Sequence, residues 1–308
     1  MCGLLYFCHD VSDCHHILML VERCGEGTLH TGFFFSVFEA YDIVLKRIPH
    51  RYHIDVTGVI SMEKNMNKEF HQWYSPAMSK EMPLHVYGHT GRPLLVFPAM
   101  CGNFTEFEGF GMIDAIHEYI DSGRLMVFTI DSADSESWCN QGVGPWDRAR
   151  RHNDYDAYVI QEVVPFINSR SGRGDIIATG CSMGGYQSMN FFLRHPDAVN
   201  AVIALSGLYH LTEFVGDYMD ENVYFNSPLD YLPNCNDPWY IDRYRQSAII
   251  ACTGRGAWED AMIADTGALK AIFDAKGIPA WCDFWGEDVN HDWPWWRVQL
   301  PYFLSHIL

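Results

Sequence analysis

From residue 83 onward the apolar positions of this chain switch repeatedly between two periods. Four short runs read as buried strands: Leu84-His85-Val86-Tyr87, Leu94-Leu95-Val96-Phe97, Leu125-Met126-Val127-Phe128-Thr129-Ile130 and Asp175-Ile176-Ile177-Ala178-Thr179. Each is brief, apolar and bounded by turn residues. Ala201 to Leu205, Ala248 to Cys252 and Ala280 to Phe284 continue the series. Between them the spacing stretches to three and four. Ile113, Ile116, Tyr119 and Ile120 give a helical face over 109–121, and Tyr158, Val159, Val163 and Phe166 give another over Asp154 to Ile167. Further helices are predicted over 185–196, stopped by Pro196, and over 260–274 and 295–306. The first two runs read as a neighbouring pair joined by the turn Thr90-Gly91-Arg92-Pro93. Strands separated by helices predict a mostly parallel central sheet with helices on both faces. The stretch 206–246, with Pro228, Pro233 and Pro238, interrupts the alternation, and an insertion there is expected over the site.

Before about residue 61 this order is missing. That segment holds four of the ten cysteines and six of the fifteen histidines, without a steady period. We read 1–61 as an N-terminal extension, a few strands on the edge of a domain filling 62–308. Met62 and Met66 offer a second beginning, which would leave the upstream stretch outside the natural product, and both readings stay open. Cys8, His9, Cys14 and His15 are spaced too irregularly to be expected as zinc ligands. His9, Asp10, Asp13, His15 and His16 interrupt the apolar pieces of the first 24 residues, so neither a secretory core nor a membrane span is expected. Composition, at 48% hydrophobic and 15% aromatic, is that of a globular protein with a large core. A formal charge of −18 opposes nucleic acid or an anionic membrane as partner, because phosphates are repelled. No C-x-x-C pair occurs, and Cys181, Cys252 and Cys282 fall in or beside strands, where a thiol behaves as a small apolar group. A reducing, cytoplasmic setting fits that usage.

The chemistry begins at Gly180-Cys181-Ser182-Met183-Gly184, between a predicted strand and a predicted helix. A serine at so sharp a turn takes a strained backbone, and small neighbours let strand and helix approach. This is the nucleophile elbow of the α/β-hydrolase fold, the fold class we expect. In that fold the acid and the base follow the serine along the chain. His291 is the candidate base, since it lies after the last strand, at the sheet edge where Ser182 emerges. His195, His210 and His306 are weaker candidates, with His195 and His306 read as surface residues. The acid should come from Thr253-Gly254-Arg255-Gly256-Ala257-Trp258-Glu259-Asp260, where Glu259 and Asp260 are both available. The two side chains cannot both face the histidine. For the oxyanion, the amide of Met183 is one candidate donor, and the loop Pro98-Ala99-Met100-Cys101-Gly102 should supply the second from Met100 or Cys101.

Further motifs carry a resemblance. His71-Gln72-Trp73-Tyr74-Ser75-Pro76, Val86-Tyr87-Gly88-His89, Asp131-Ser132-Ala133-Asp134-Ser135-Glu136-Ser137-Trp138, Gly256-Ala257-Trp258-Glu259 and Asn290-His291-Asp292-Trp293-Pro294-Trp295-Trp296 stand beside the elbow. With these, residues 68–308, about four-fifths of the chain, resemble the putative esterases of the α/β-hydrolase superfamily, which include esterase D-like enzymes and mycolyltransferases. The resemblance implies Ser182 as nucleophile and His291 as base. Counting back from Gly277-Ile278, it places a mycolyltransferase-like glutamate on Glu259 and an esterase-like aspartate on Asp260, and we favour Glu259. The expected reaction is hydrolysis of a small-molecule carboxylic ester through an acyl-serine, with no metal and no organic cofactor. Acyl transfer by the same triad and a non-catalytic binding protein are the alternatives, and oligomeric state is not legible. Asp131, Asp134 and Glu136 read as solvated loop acids. At least two of Trp293, Trp295 and Trp296 are expected to anchor the last helix rather than line a pocket.

Overall fold

In the computed structural model the apolar runs between residues 68 and 284 form one eight-stranded sheet. The structure describes residues 66–308 and, before them, only the backbone of β1 (Tyr52–Ile54) and β2 (Ile60–Met62), which pair antiparallel with each other. The remaining expectations for 1–61, including Cys8, His9, Cys14 and His15 and the choice of beginning, lie outside the described residues.

The main sheet contains β3 (Lys68–Ser75), β4 (Lys80–Tyr87), β5 (Arg92–Phe97), β6 (Leu125–Ile130), β7 (Ile176–Cys181), β8 (Val199–Leu205), β9 (Ala248–Thr253) and β10 (Ala280–Phe284). Their order is β10-β9-β8-β7-β5-β6-β4-β3. The strands from β6 to β10 in that row are parallel, while β4 and β3 run antiparallel at one side. The central strands are buried along their length except at half-buried Arg92, as continuous apolar runs require when helices cover both faces. Strand β3 instead alternates exposed and half-buried residues along a sheet edge, and its mixed polar-aromatic sequence hid it from the periodicity. The expected pairing of the first two runs is corrected here. Strand β6 lies between β4 and β5, antiparallel to one and parallel to the other.

Successive residues of each strand feed opposite cores, as a period of two demands. Leu95, Phe97, Phe128, Ala178, Val202 and Ile249 face one cluster, whereas Leu94, Val96, Val127, Ile177, Ile203 and Ile250 face the other. The first face is covered by α1 (Pro145–Tyr158), α2 (Val164–Ser171), α3 (Met183–Arg194), α4 (Pro238–Gln246) and α5 (Asp260–Lys276). The second is covered by α6 (Trp293–Ile307) and three short turns between Glu106 and Asp121. Those turns replace the single helix expected over 109–121, with left-handed Gly111 (φ 75°) between two of them. Helix α1 begins nine residues before the expected Asp154, because polar Arg148 and His152 occupy its buried face and mask the apolar period. A π-helical turn, Val159–Val163, joins α1 to α2 where Pro165 offers no amide to the preceding carbonyls.

The 206–246 insertion folds into short helical turns and α4. Its Leu211, Val215 and Val223 pack with Met183 and Tyr186, next to the elbow. Its later part lines a cavity of about 760 Å³ with Arg194 and His195 at the far end of α3. The six cysteines of the described residues are free thiols. Among the described residues no helix is long and apolar enough to cross a membrane, and no three His, Cys, Asp or Glu side chains are grouped to hold a metal ion.

Candidate active site

Strand β7 ends at Cys181 and α3 begins at Met183, so Ser182 alone makes the turn. Its φ of 57° and ψ of −118° lie where a side chain is disfavoured, a strain maintained by the surrounding structure. Its amide donates to the Leu205 carbonyl at 2.8 Å, and its carbonyl accepts from Tyr186 at 3.1 Å. A Cβ on Gly184 would collide with the carbonyls of Phe97 and Pro98, so glycine there lets β5 and α3 touch.

His291 reaches the serine from the loop after β10. Its Nε2 lies 2.9 Å from Ser182 Oγ, while its backbone amide donates to the Ala257 carbonyl at 3.0 Å. The ring is held edge-on by Trp296, with centroids 5.0 Å apart. Behind it, Nδ1 stands 3.6 Å from Glu259 Oε2, beyond hydrogen-bond length and within range of a charge contact. Such contacts are commonly long in unliganded sites and tighten when the imidazolium forms.

Glu259 is fully buried. Its Oε1 accepts from Ser206 Oγ at 2.6 Å and its Oε2 from Thr253 Oγ1 at 2.7 Å. Ser206 Oγ itself accepts from Trp296 Nε1 at 3.0 Å. Burial pushes the Glu259 carboxyl up, but His291, Ser206 and Thr253 together outweigh it and hold the group below its ordinary value. Trp258 is turned outward, 84% exposed at φ 69°, as the next residue points in. Asp260 is exposed as the first residue of α5, so the structure brings Glu259 to His291 and leaves Asp260 in solvent. The reason is geometric: consecutive side chains diverge, and only the first lies beneath the histidine.

The loop after β5 separates the two oxyanion candidates as well. The Cys101 amide already donates to Asp134 Oδ2 at 3.2 Å, Ala99 to Glu106 Oε2 at 2.7 Å, and Gly102 to the Ala99 carbonyl at 2.9 Å. Within this loop the Met100 amide has no partner among the described residues, so Met100 rather than Cys101 is free to join Met183.

Asp134 is a correction to the sequence reading, because it is 1% exposed rather than solvated. Burial raises its carboxyl to about 7, against the pull of the Cys101 amide and Gln187. Glu136 is half-buried and paired with Lys80 and Arg151. The other histidines stand apart from Ser182. His195 pairs with Asp156 at 3.0 Å, His210 lies 3.4 Å from Asp230, and His306 is exposed. Of the tryptophans, Trp296 is buried in the second core, and Trp293 is half-buried with Phe110 stacked on it at 4.4 Å. Sequence reasoning missed Ser206, Thr253 and Gln187. The first two had one signal, their position at the C-terminal ends of β8 and β9, where sites of open parallel sheets gather.

Residues 75–307 match the family described as putative esterase. No curated protein sequence matches the chain. Among solved structures, a ferulic acid esterase superposes with a TM-score of 0.61 at 18% identity, over 79% of this chain and 99% of its own. An S-formylglutathione hydrolase from Agrobacterium tumefaciens gives 0.61 at 12%, over 84% and 96%. The fluorophosphonate-binding serine hydrolase F of Staphylococcus aureus gives 0.59 at 15%, over 78% and 97%. At such identities the likeness is one of fold, the α/β-hydrolase fold.

Proposed function

The chain belongs to the putative esterase family, a family of carboxylic ester hydrolases, and from that premise we propose that it works through an acyl-Ser182 intermediate. The observation that carries this reading is the 2.9 Å approach of His291 Nε2 to the oxygen of a strained serine, with a buried, ionised Glu259 behind the ring. His291 takes the Ser182 proton as the oxygen attacks the ester carbonyl, and returns it to the leaving alcohol. Glu259 favours the imidazolium formed in that step. The Met183 and Met100 amides receive the developing oxyanion. Water, activated by the same histidine, then releases the acid and restores the serine.

Fluorophosphonate labelling of the wild type, followed by intact mass, tests this directly. One adduct is expected, absent in Ser182→Ala and slowed in His291→Ala. Glu259→Gln should lower ester turnover by about 10⁴-fold, as loss of the orienting acid does in other triads. Asp260→Asn should stay within about twofold, since an exposed charge contributes little. A wild-type protein that is folded and takes no adduct would refute the proposal.

A further inference from the structure

We infer that Asp134 is the positioning residue of the oxyanion site, clamping the loop that carries Met100 to the helix that carries Met183. The inference rests on the reading of Ser182 as nucleophile and extends it to a residue outside the triad. Four observations support it.

Of the consecutive amides from Ala99 to Gly102, those on either side of Met100 are held by carboxylates: Ala99 by Glu106 at 2.7 Å and Cys101 by Asp134 at 3.2 Å. The Met100 amide between them has no partner among the described residues. Cys101 also sits at φ 55°, a left-handed conformation that a non-glycine residue keeps only when its surroundings impose it. A hydrogen bond from its amide to a carboxyl supplies such a restraint.

The second oxygen of Asp134 faces the other half of the site. Its Oδ1 accepts from Gln187 Nε2 at 2.5 Å, and Gln187 lies on α3, about one turn beyond Met183. One buried carboxyl group therefore joins the two backbone segments whose amides must converge on a single oxygen. Convergence is the requirement that chemistry places on an oxyanion site, since a donor displaced by a fraction of an ångström loses most of its effect.

Finally, among the described residues no lysine or arginine pairs with Asp134. The titratable groups around it are Glu106 and Cys101 from the loop side, Cys139 from its own loop, and Tyr155 and Tyr186 from α1 and α3. A carboxyl buried among neutral and acidic neighbours costs stability, so packing alone gives no reason for it here. Its geometry does, because a carboxyl group can bridge the two segments from two oxygens.

The test is the turnover of a p-nitrophenyl ester per fluorophosphonate-titrated serine. Asp134→Ala removes both acceptors, and kcat per titrated site should fall about ten- to a hundredfold while KM stays within about twofold. Asp134→Asn should restore most of the rate, because its carbonyl oxygen can accept from Cys101 while its amide meets a reoriented Gln187. If Asp134→Ala does not fold, Gln187→Leu cuts the helix-side tie alone and should lower kcat per site about three- to tenfold. A residue with a merely structural role would reduce the titratable fraction and the melting temperature and leave kcat per site unchanged, and that result would overturn the inference. A Ser182→Ala protein that retains activity would instead overturn the reading beneath it.

Discussion

Glu259 and Asp134 are both carboxyl groups sealed from solvent within one site, and their ionisation is driven in opposite directions. Glu259 has two hydroxyl donors and the imidazole beside it, which outweigh burial, so its pKa falls. Asp134 has an amide and a carboxamide, which do not, and its carboxyl rises to about 7. The consequences for stability differ in sign. The lowered Glu259 stabilises the fold above the ordinary carboxylate range, and that contribution is lost as pH falls through its folded value. The raised Asp134 does the reverse. Between about pH 4 and pH 7 the unfolded chain releases this proton while the folded chain keeps it, so stability declines across that window as pH rises. Thermal melts of wild type and Asp134→Asn at pH 5 and pH 8 measure the effect. The asparagine variant should gain on the wild type by about 2–3 kcal/mol from the lower pH to the higher, because part of the effect is already present at pH 5. An unchanged difference between the two pH values would mean that Asp134 ionises in the folded protein as it does in water.

At the scale of elements, the proposed triad rests on how closely the loop after β9 meets the loop after β10. Gly254 lies against the Val289 backbone with no room for a Cβ, and the Gly256 amide donates to the Val289 carbonyl at 2.9 Å. Glu259 hangs from the first loop and His291 from the second. Gly254→Ala must push them apart, and we expect a melting temperature lower by about 5–10 °C together with a loss of kcat, measured by calorimetry and ester turnover. Either loss without the other would show that the loops are not coupled in this way. The same loops show what the sequence could disclose. Ser182, His291 and the pair Glu259 and Asp260 were legible because the fold fixes their order along the chain and their places at strand ends. Strands β5 to β9 were legible because burial on both faces leaves nearly unbroken apolar runs, and the half-buried edge strand β10 because its short apolar-aromatic run is bounded by turn residues. The start of α1 and the whole of β3 were not, since Arg148 and His152 on a buried face and alternating polar and aromatic residues on a wet edge erase the period. The tie from Asp134 to Cys101 and Gln187 was illegible for a related reason. It joins residues 33 and 53 positions away through single hydrogen bonds, and no local pattern marks such a contact.

At the scale of the molecule, the six parallel strands place every proposed participant at one edge. The loop after β5 carries Met100, the turn after β7 carries Ser182 and Met183, β8 leads to Ser206, β9 to Thr253 and Glu259, and β10 to His291. Among the described residues, the apolar clusters on both faces of that sheet run from Met66 to Leu308. A separate unit ends at Lys64, and the larger one runs from Asn65 to Leu308. A fragment beginning at Met62 thus keeps the whole sheet, both clusters and all members of the proposed triad. A chain of about 245 residues with a core of this kind is well above the size at which a domain folds alone. We expect that fragment to unfold cooperatively and to take the same single fluorophosphonate adduct as the full chain, at a rate within about twofold. Loss of cooperative unfolding in the fragment would show instead that residues 1–61 contribute to the stability of the esterase domain.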